Sequence, residues 1–271
     1  MENDSKDIAN LLLNNPLETS PGLTIDDLNK YLSAVQTSDE LFLTQDKMVE
    51  GLYLSDCLVG LKKVPNESID LIITEPPFDL GRVQSNYDNQ VTLQEYYKWN
   101  NNWLFEANRV LKKTGSIYIL TSWQYSSMYH NLLSNMFKLQ SRIIWRNRSS
   151  KTNNETWIND TSDIWFATKT EKYLFRGFDN ENASSLDSFY DQIKSNLWVD
   201  IPQNPELFGK YSQKIYLRIL KASSLSLNWV LDPFMALGDV GVASKKLGRR
   251  FIGFEEDKDS LLLAMKRIDK N

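Results

Sequence analysis

Thr74-Glu75-Pro76-Pro77-Phe78 places a carboxylate, two proline carbonyls and an aromatic ring side by side. Proline has no backbone donor and fixes its own φ, so a turn of this kind presents acceptors in a rigid arrangement. Acceptors suit an amine that has to act as a nucleophile. Glu75 and the Pro76 carbonyl can take its hydrogens, Pro77 stiffens the turn, and Phe78 offers a flat face for a planar ring. The same residues also suit a plain strand-ending turn with a core phenylalanine. A second constellation lies far along the chain, in residues 230–257, VLDPFMALGDVGVASKKLGRRFIGFEED. It reads as strand, glycine-containing turn, helix, strand, acid. Gly238 permits close backbone approach where a helix N-terminus carries partial positive charge. Glu255 follows 17 residues later, at the next strand end. A carboxylate there can accept from both hydroxyls of a ribose, or it is an ordinary surface acid beside Glu256 and Asp257.

Other chemistries drop out by count. Cys57 is the sole cysteine and His130 the sole histidine. No disulfide framework, thiolate zinc site, histidine metal site or Ser-His-Asp triad follows, and no metal is expected. Cys57 is expected to be packed rather than reactive.

The elements that must hold these residues come from periodicity. Residues 68–75, SIDLIITE, form a short, almost wholly apolar run, as expected of a strand buried on both faces of a parallel sheet. A helix is expected from Leu93 to Leu111, stopped by Lys-Lys-Thr-Gly. Strand 116–121, helix 125–137 and strand 141–145 follow. Residues 163–169 and 172–175 look like a hairpin, and 177–196 like a loop-rich stretch. Helix 212–223, strand 229–234, helix 240–247 and strand 251–255 complete the alternation. The expected class is α/β: a Rossmann-like sheet, mostly parallel with one antiparallel edge hairpin, and helices on both faces. Residues 1–45 read as an N-terminal helical extension, with a helix start at Thr24 to Asp27; it is either loosely attached or a contact for a partner. Residues 46–271 form the main domain.

Residues 232–255 closely resemble the cofactor motif of the bacterial DNA N6-adenine and N4-cytosine methyltransferases, and Glu75-Pro76-Pro77-Phe78 resembles that family's Asp-Pro-Pro-Tyr box. The order, catalytic box first and glycine turn last, is similar to the permuted (beta) class, in which the target-reading segment lies between them. The likeness covers about residues 50–268. It implies the methyltransferase version of the Rossmann-like sheet, S-adenosylmethionine as cofactor, double-stranded DNA as substrate, and methyl transfer to an exocyclic amine, most readily adenine N6. It implies Glu75, Pro76, Pro77 and Phe78 as the catalytic pocket. It also implies Phe234 packing near the cofactor, Glu255 on its ribose, Ala236, Gly238 and Asp239 in its turn, and Asp56 as acceptor for its adenine amine. Asp56 equally suits a helix N-cap. Residues 147–210 fill the slot of a target-recognition insertion, where Arg146, Arg148, Lys151 and Trp157 are candidate DNA contacts. Arg142, Lys169, Lys172 and Arg176 add basic charge there, and Trp145 adds a second aromatic. A solvated basic face is the alternative.

Several positions depart from the family. Glu75 stands for aspartate, one methylene longer, and Phe78 lacks the tyrosine hydroxyl. Ala236 replaces the turn's first glycine. Asp239 replaces a threonine near the cofactor's carboxylate, where a second negative charge needs Lys214 or another cation. Residues 211–215, YSQKI, keep the Gln213-Lys214 pair of the family's His-Pro-Thr-Gln-Lys-Pro box but lose its histidine and prolines. A non-catalytic, structural or DNA-binding subunit of a heteromeric methyltransferase therefore stays open beside the active enzyme, as do a homodimer and a heterodimer. The net charge of −4 and pI near 5.3 give no general attraction to phosphate, so a local basic surface or a partner has to supply it. No stretch approaches the roughly 18 apolar residues of a membrane span. The expected location is cytoplasmic, or nuclear in a eukaryote.

Overall fold

The fold is taken from a computed structural model that describes residues 22–40, 48–77, 92–146, 157, 160–176, 195–201 and 213–271. The strands are β1 (Gln36–Thr37), β2 (Gly51–Leu54), β3 (Ile69–Thr74), β4 (Leu111–Thr121), β5 (Lys138–Arg146), β6 (Thr161–Thr168), β7 (Leu197–Trp198), β8 (Trp229–Asp232) and β9 (Arg250–Glu255). The helices are α1 (Ile25–Leu32), α2 (Cys57–Lys63), α3 (Leu93–Val110), α4 (Ser126–Met136), α5 (Gln213–Ser223), α6 (Asp239–Lys246) and α7 (Lys258–Asp269). All the strands join one sheet in the order β1-β2-β9-β8-β3-β4-β6-β5-β7.

Alternation along the strands divides the core into two layers. Ile72, Ile117, Ile119, Leu231 and Phe254 face Leu61 of α2, Trp103 and Ala107 of α3, and Tyr129 and Leu133 of α4. Leu71, Ile73, Tyr118, Leu120, Val230 and Phe251 face Ile215 and Ile219 of α5, Ala243 of α6 and Leu261 of α7. Helices cover both faces, which is why the central strands read as nearly unbroken apolar runs.

The strand order fixes where a ligand crevice opens. From β3 the chain runs through α3, in one layer, to β4. From β8 it runs through α6, in the other layer, to β9 on the opposite side. Neighbouring parallel strands whose following helices depart to opposite faces leave a crevice at their carboxyl ends. β3 and β8 are such a pair, in register Leu71↔Val230 and Ile72↔Leu231.

Two expectations fail here. Residues 172–175 form no strand with 163–169. β6 instead pairs antiparallel with β4 on one edge and β5 on the other, so both of its edges are taken. The antiparallel strand thus lies inside the sheet, and Tyr173 and Phe175 pack their rings around Phe166. Nor does Lys-Lys-Thr-Gly close a helix: α3 ends at Val110, and Leu111 to Gly115 already belong to β4. Gly115 is needed for approach, since a Cβ there would sit 2.7 Å from Leu111 Cγ and 3.0 Å from Asp70 O.

The expected helix start at Thr24 is a capping box, the Thr24 hydroxyl accepting from Asp27 N and Asp27 from Thr24 N. Residues 22–37 lie against α7. Leu23 and Tyr31 pack on Leu262 and Leu263, Lys266 pairs with Asp27 at 2.7 Å, and Tyr31 donates to Asp269 at 3.0 Å. β1 adds a strand beside β2.

Candidate functional site

The two constellations meet. Thr74, at the end of β3, donates its hydroxyl to Asp232 Oδ1, at the end of β8, over 2.7 Å. The same oxygen accepts the Phe234 N–H at 3.1 Å and so shapes the entry to the glycine turn. Asp232 is buried, and burial pushes its carboxyl up to about 7, helped by Glu75 and Glu255 and opposed by its two donors. Asp56, Glu75, Asp232 and Glu255 close four adjacent strands, β2, β3, β8 and β9. The crevice is therefore ringed by carboxylates.

On the Pro-Pro side, Pro76 is buried while Glu75 and Pro77 are half-buried. The Pro77 carbonyl accepts the Tyr96 hydroxyl at 2.9 Å. Tyr96 is buried on α3 and belongs to a polar chain within the core. Its hydroxyl lies 3.5 Å from that of Tyr129, which donates to Asn100 Oδ1 at 2.8 Å. Trp103 Nε1 donates to the same Asn100 oxygen, and Asn100 Nδ2 returns to the Tyr96 carbonyl. Satisfied buried networks hold one geometry, and this one reaches the turn. Phe78 lies outside the described residues.

On the glycine side, Ala236 has a left-handed backbone, φ 44°, and an exposed side chain. Gly238 follows at φ 75° as N-cap of α6, where a Cβ would stand 3.0 Å from Ala264 Cβ. Glu255 reaches back to this turn. Burial pushes it up to about 7, against hydrogen bonds from the backbone N–H groups of Asp257 and Ala236. Phe234 lies between Trp99 and Trp103, at centroid distances of 5.2 and 5.3 Å. It thereby ties the glycine turn to α3, the helix that also carries Tyr96.

Asp239 opens α6, one residue before the expected helix start, and Arg267 of α7 is a cation bonded to it, its Nη2 standing 2.6 Å from Asp239 Oδ1. Gln213 Nε2 donates to Asp239 Oδ1 at 2.9 Å and to its carbonyl at 3.1 Å, which brings the start of α5, with the neighbouring exposed Lys214, to the turn. Gln213 Oε1 is buried and finds no donor among the described residues. An orphaned acceptor beside this turn fits a bound group that carries N–H donors. Asp56 is the N-cap of α2, its Oδ1 accepting from Leu58 N and Val59 N, so the capping alternative holds while the residue stands at the crevice edge.

The basic stretch behaves differently from its sequence. Trp145 is fully buried, its Nε1 donating to the Ile201 carbonyl, and presents no surface. Arg142 pairs with buried Asp163, Arg146 with Asp160, and Lys169 with Glu67. Trp157 is 97% exposed. Arg148 and Lys151 lie outside the described residues. The pairing Arg146↔Thr161 sits at the same end of the sheet as Thr121↔Asp163, hence at the carboxyl end of β4, the end at which the crevice opens. Asp232, Tyr96 and Arg267 carry no motif of their own. DPF flags Asp232 only once the strand order is known, and the other two only once α3 and α7 are placed.

The profile of the DNA methylase family N6_N4_Mtase matches residues 69–266, from the start of β3 into α7. The chain belongs to this family. Among DNA methylases, it is 29% identical over 267 residues to Type II methyltransferase M2.DpnII of Streptococcus pneumoniae, covering 89% of this chain and 96% of that protein. It is 27% identical over 241 residues to DNA adenine methyltransferase YhdJ of Escherichia coli K12, covering 79% and 81%. The M1.HpyAVI–SAM complex shares the fold at TM-score 0.61 and 24% identity, covering 82% of this chain and 100% of that one. This DNA methylase thus has its profile match running across both turns and the crevice between them.

Proposed function

We propose that the crevice between β3 and β8 binds S-adenosylmethionine on its glycine-turn side and an exocyclic base amine of DNA on its Pro-Pro side, adenine N6 being the target. The observation that carries this reading is the Thr74–Asp232 hydrogen bond, because it makes one site of two segments some 160 residues apart in sequence. The cofactor supplies, when bound, a methyl group on a positively charged sulfur. A ring of carboxylates suits that charge, and the buried Gln213 Oε1 suits its ammonium. Glu255 and Gly238 would hold the ribose and the methionine end, with Phe234, Ala236, Asp239 and Lys214 around them and Asp56 at the adenine rim.

The chain's own part in the reaction is positional. Glu75 and the Pro76 carbonyl accept the amine's hydrogens and aim its lone pair, Pro77 is held by Tyr96, and Phe78 stacks on the base. An acid at the first position of this box favours adenine over cytosine. β5 ends at Arg146, at the carboxyl end of β4, and the insertion assigned to about residues 147–210, apart from its strands β6 and β7, would read DNA there through Arg146, Arg148, Lys151 and Trp157. Residues 1–45 are the extension to that domain, and a second methylase subunit, identical or different, is the partner we propose. The reaction belongs in the cytoplasm, or in the nucleus of a eukaryote. Among the described residues no helix is long and apolar enough to cross a membrane. A second reading, a non-catalytic subunit, draws on Ala236 and Asp239, both in the cofactor turn.

Calorimetry with S-adenosylmethionine, followed by methylation of duplex DNA and analysis of the product bases, tests the proposal. Micromolar binding and N6-methyladenine are expected. Glu75→Ala should lower transfer by at least about 100-fold with binding and melting unchanged. N4-methylcytosine would overturn the base assignment, and an equally active Glu75→Ala would overturn the catalytic one. No binding by the chain alone, restored with a partner methylase, would favour the second reading.

A further inference from the structure

Asp239 is the departure hardest to reconcile with a cofactor that carries a carboxylate, and the chain answers it from outside the motif. Arg267, on the last turn of α7, holds the turn at two points. Its Nη1 donates to the Leu237 carbonyl at 2.5 Å and its Nη2 to Asp239 Oδ1 at 2.6 Å. Both side chains of the pair are largely shielded, at 21% and 15% exposure, so their attraction is screened less than at a free surface. Gln213 adds a third tie from α5 to the same acid oxygen and keeps its own Oε1 as an orphaned acceptor beside it. Two helices, α5 and α7, thus converge on the one carboxylate that opens α6.

We propose that Arg267 is a positioning residue for the cofactor: it cancels the charge of Asp239 and fixes backbone 237–239, which lets an acid occupy the helix start beside an anionic end of the methyl donor. This rests on the assignment of the glycine turn to S-adenosylmethionine. It predicts coupling rather than mere loss. If Arg267 acts through Asp239, removing the arginine harms binding only while the acid is present.

The test is a double-mutant cycle read by calorimetry with S-adenosylmethionine on the full chain: parent, Arg267→Ala, Asp239→Thr and the double variant. Arg267→Ala should weaken binding by at least about tenfold, because it leaves a shielded acid unpaired. Asp239→Thr sets the reference background, whatever its own affinity, and the double variant should bind within about threefold of it. Arg267→Lys, which keeps charge but not the fork, should lie between. Equal loss from Arg267→Ala in both backgrounds would make it a plain staple of α7 and overturn the proposal, as would an Arg267→Ala variant that binds like the parent. If that variant does not fold, the Arg267→Lys and Asp239→Thr/Arg267→Ala proteins carry the same comparison. A parent that binds no S-adenosylmethionine would bring down the cofactor assignment and this inference together; a binding parent with a flat cycle would bring down this inference alone.

Discussion

The turn after β3 and the turn after β8 stand side by side, yet they are stiffened by different means. The first uses covalent rings. Pro76 and Pro77 have few backbone states to lose, and a buried hydroxyl from α3 holds the second carbonyl. The second uses charge and strain: a left-handed alanine, a left-handed glycine, an Arg267–Asp239 pair, and a glutamate that accepts from the turn's own backbone. A turn that has to present acceptors in fixed directions gains from rings that cannot rotate. A turn that has to wrap a charged ligand gains from groups that set the local potential. Asp232 belongs to both, since it accepts from Thr74 on one side and Phe234 on the other.

That shared residue gives the largest expected effect. Asp232 and Glu255 are both pushed up to about 7, chiefly by burial. A carboxyl raised in the fold keeps a proton that the unfolded chain releases, so stability from these groups is full below about pH 4 and is lost as pH rises toward about 7. Asp232→Asn keeps the acceptor for Thr74 and Phe234 and removes the charge. Melting curves between about pH 5 and 8 should show the parent losing stability on the order of a few kcal/mol, and the variant losing clearly less. Bound S-adenosylmethionine, being cationic at sulfur, should flatten the parent's slope as well. A variant that keeps the parent's full slope would place the titration elsewhere and separate the two turns electrostatically.

On the Pro-Pro side alone, two hydroxyls of one network can be set against each other. Tyr96→Phe removes the bond to Pro77, whereas Tyr129→Phe removes a neighbour that bonds Asn100. Each should cost about 1 kcal/mol of stability. Only Tyr96→Phe should also lower kcat for DNA methylation, by about tenfold, with KM for S-adenosylmethionine unchanged. Equal kcat in the two variants would reduce Tyr96 to a packing residue and leave the turn's stiffness to its prolines.

Much of this site was legible in the sequence because its parts are local. Glu75 to Pro77 follow an apolar strand run directly, and Gly238 and Glu255 are separated by one helix and one strand, so motif spacing alone set them at strand ends. The doubly wound sheet followed from alternation for the same reason. What escaped depends on contacts between distant segments. Tyr96 and Arg267 look like ordinary helix residues until α3 and α7 are placed against the turns. The 172–175 hairpin looked plausible because β-rich residues follow a strand closely, but pairing is decided by which edges are free, and β4 and β5 had filled both. The basic count around 142–176 could not show pairing across the fold: Arg142, Arg146 and Lys169 meet Asp163, Asp160 and Glu67, which a tally along the chain treats as separate charges.

Ala236 makes the smallest test and the most direct one of the strain on the glycine side. At φ 44° a side chain costs about 1 kcal/mol or more, since Cβ crowds the following carbonyl. Glycine removes that cost but restores freedom to the unfolded chain, so the net gain is expected to be only about 0.5–1 kcal/mol. Ala236→Gly should therefore melt slightly higher and bind S-adenosylmethionine at least as well, its exposed methyl group no longer standing at the mouth of the turn. Calorimetry and thermal melts on the same preparation separate the two effects. A variant that is less stable than the parent would mean that the alanine methyl makes a contact worth more than the strain, and the second turn would then be packed into shape, as the first one is.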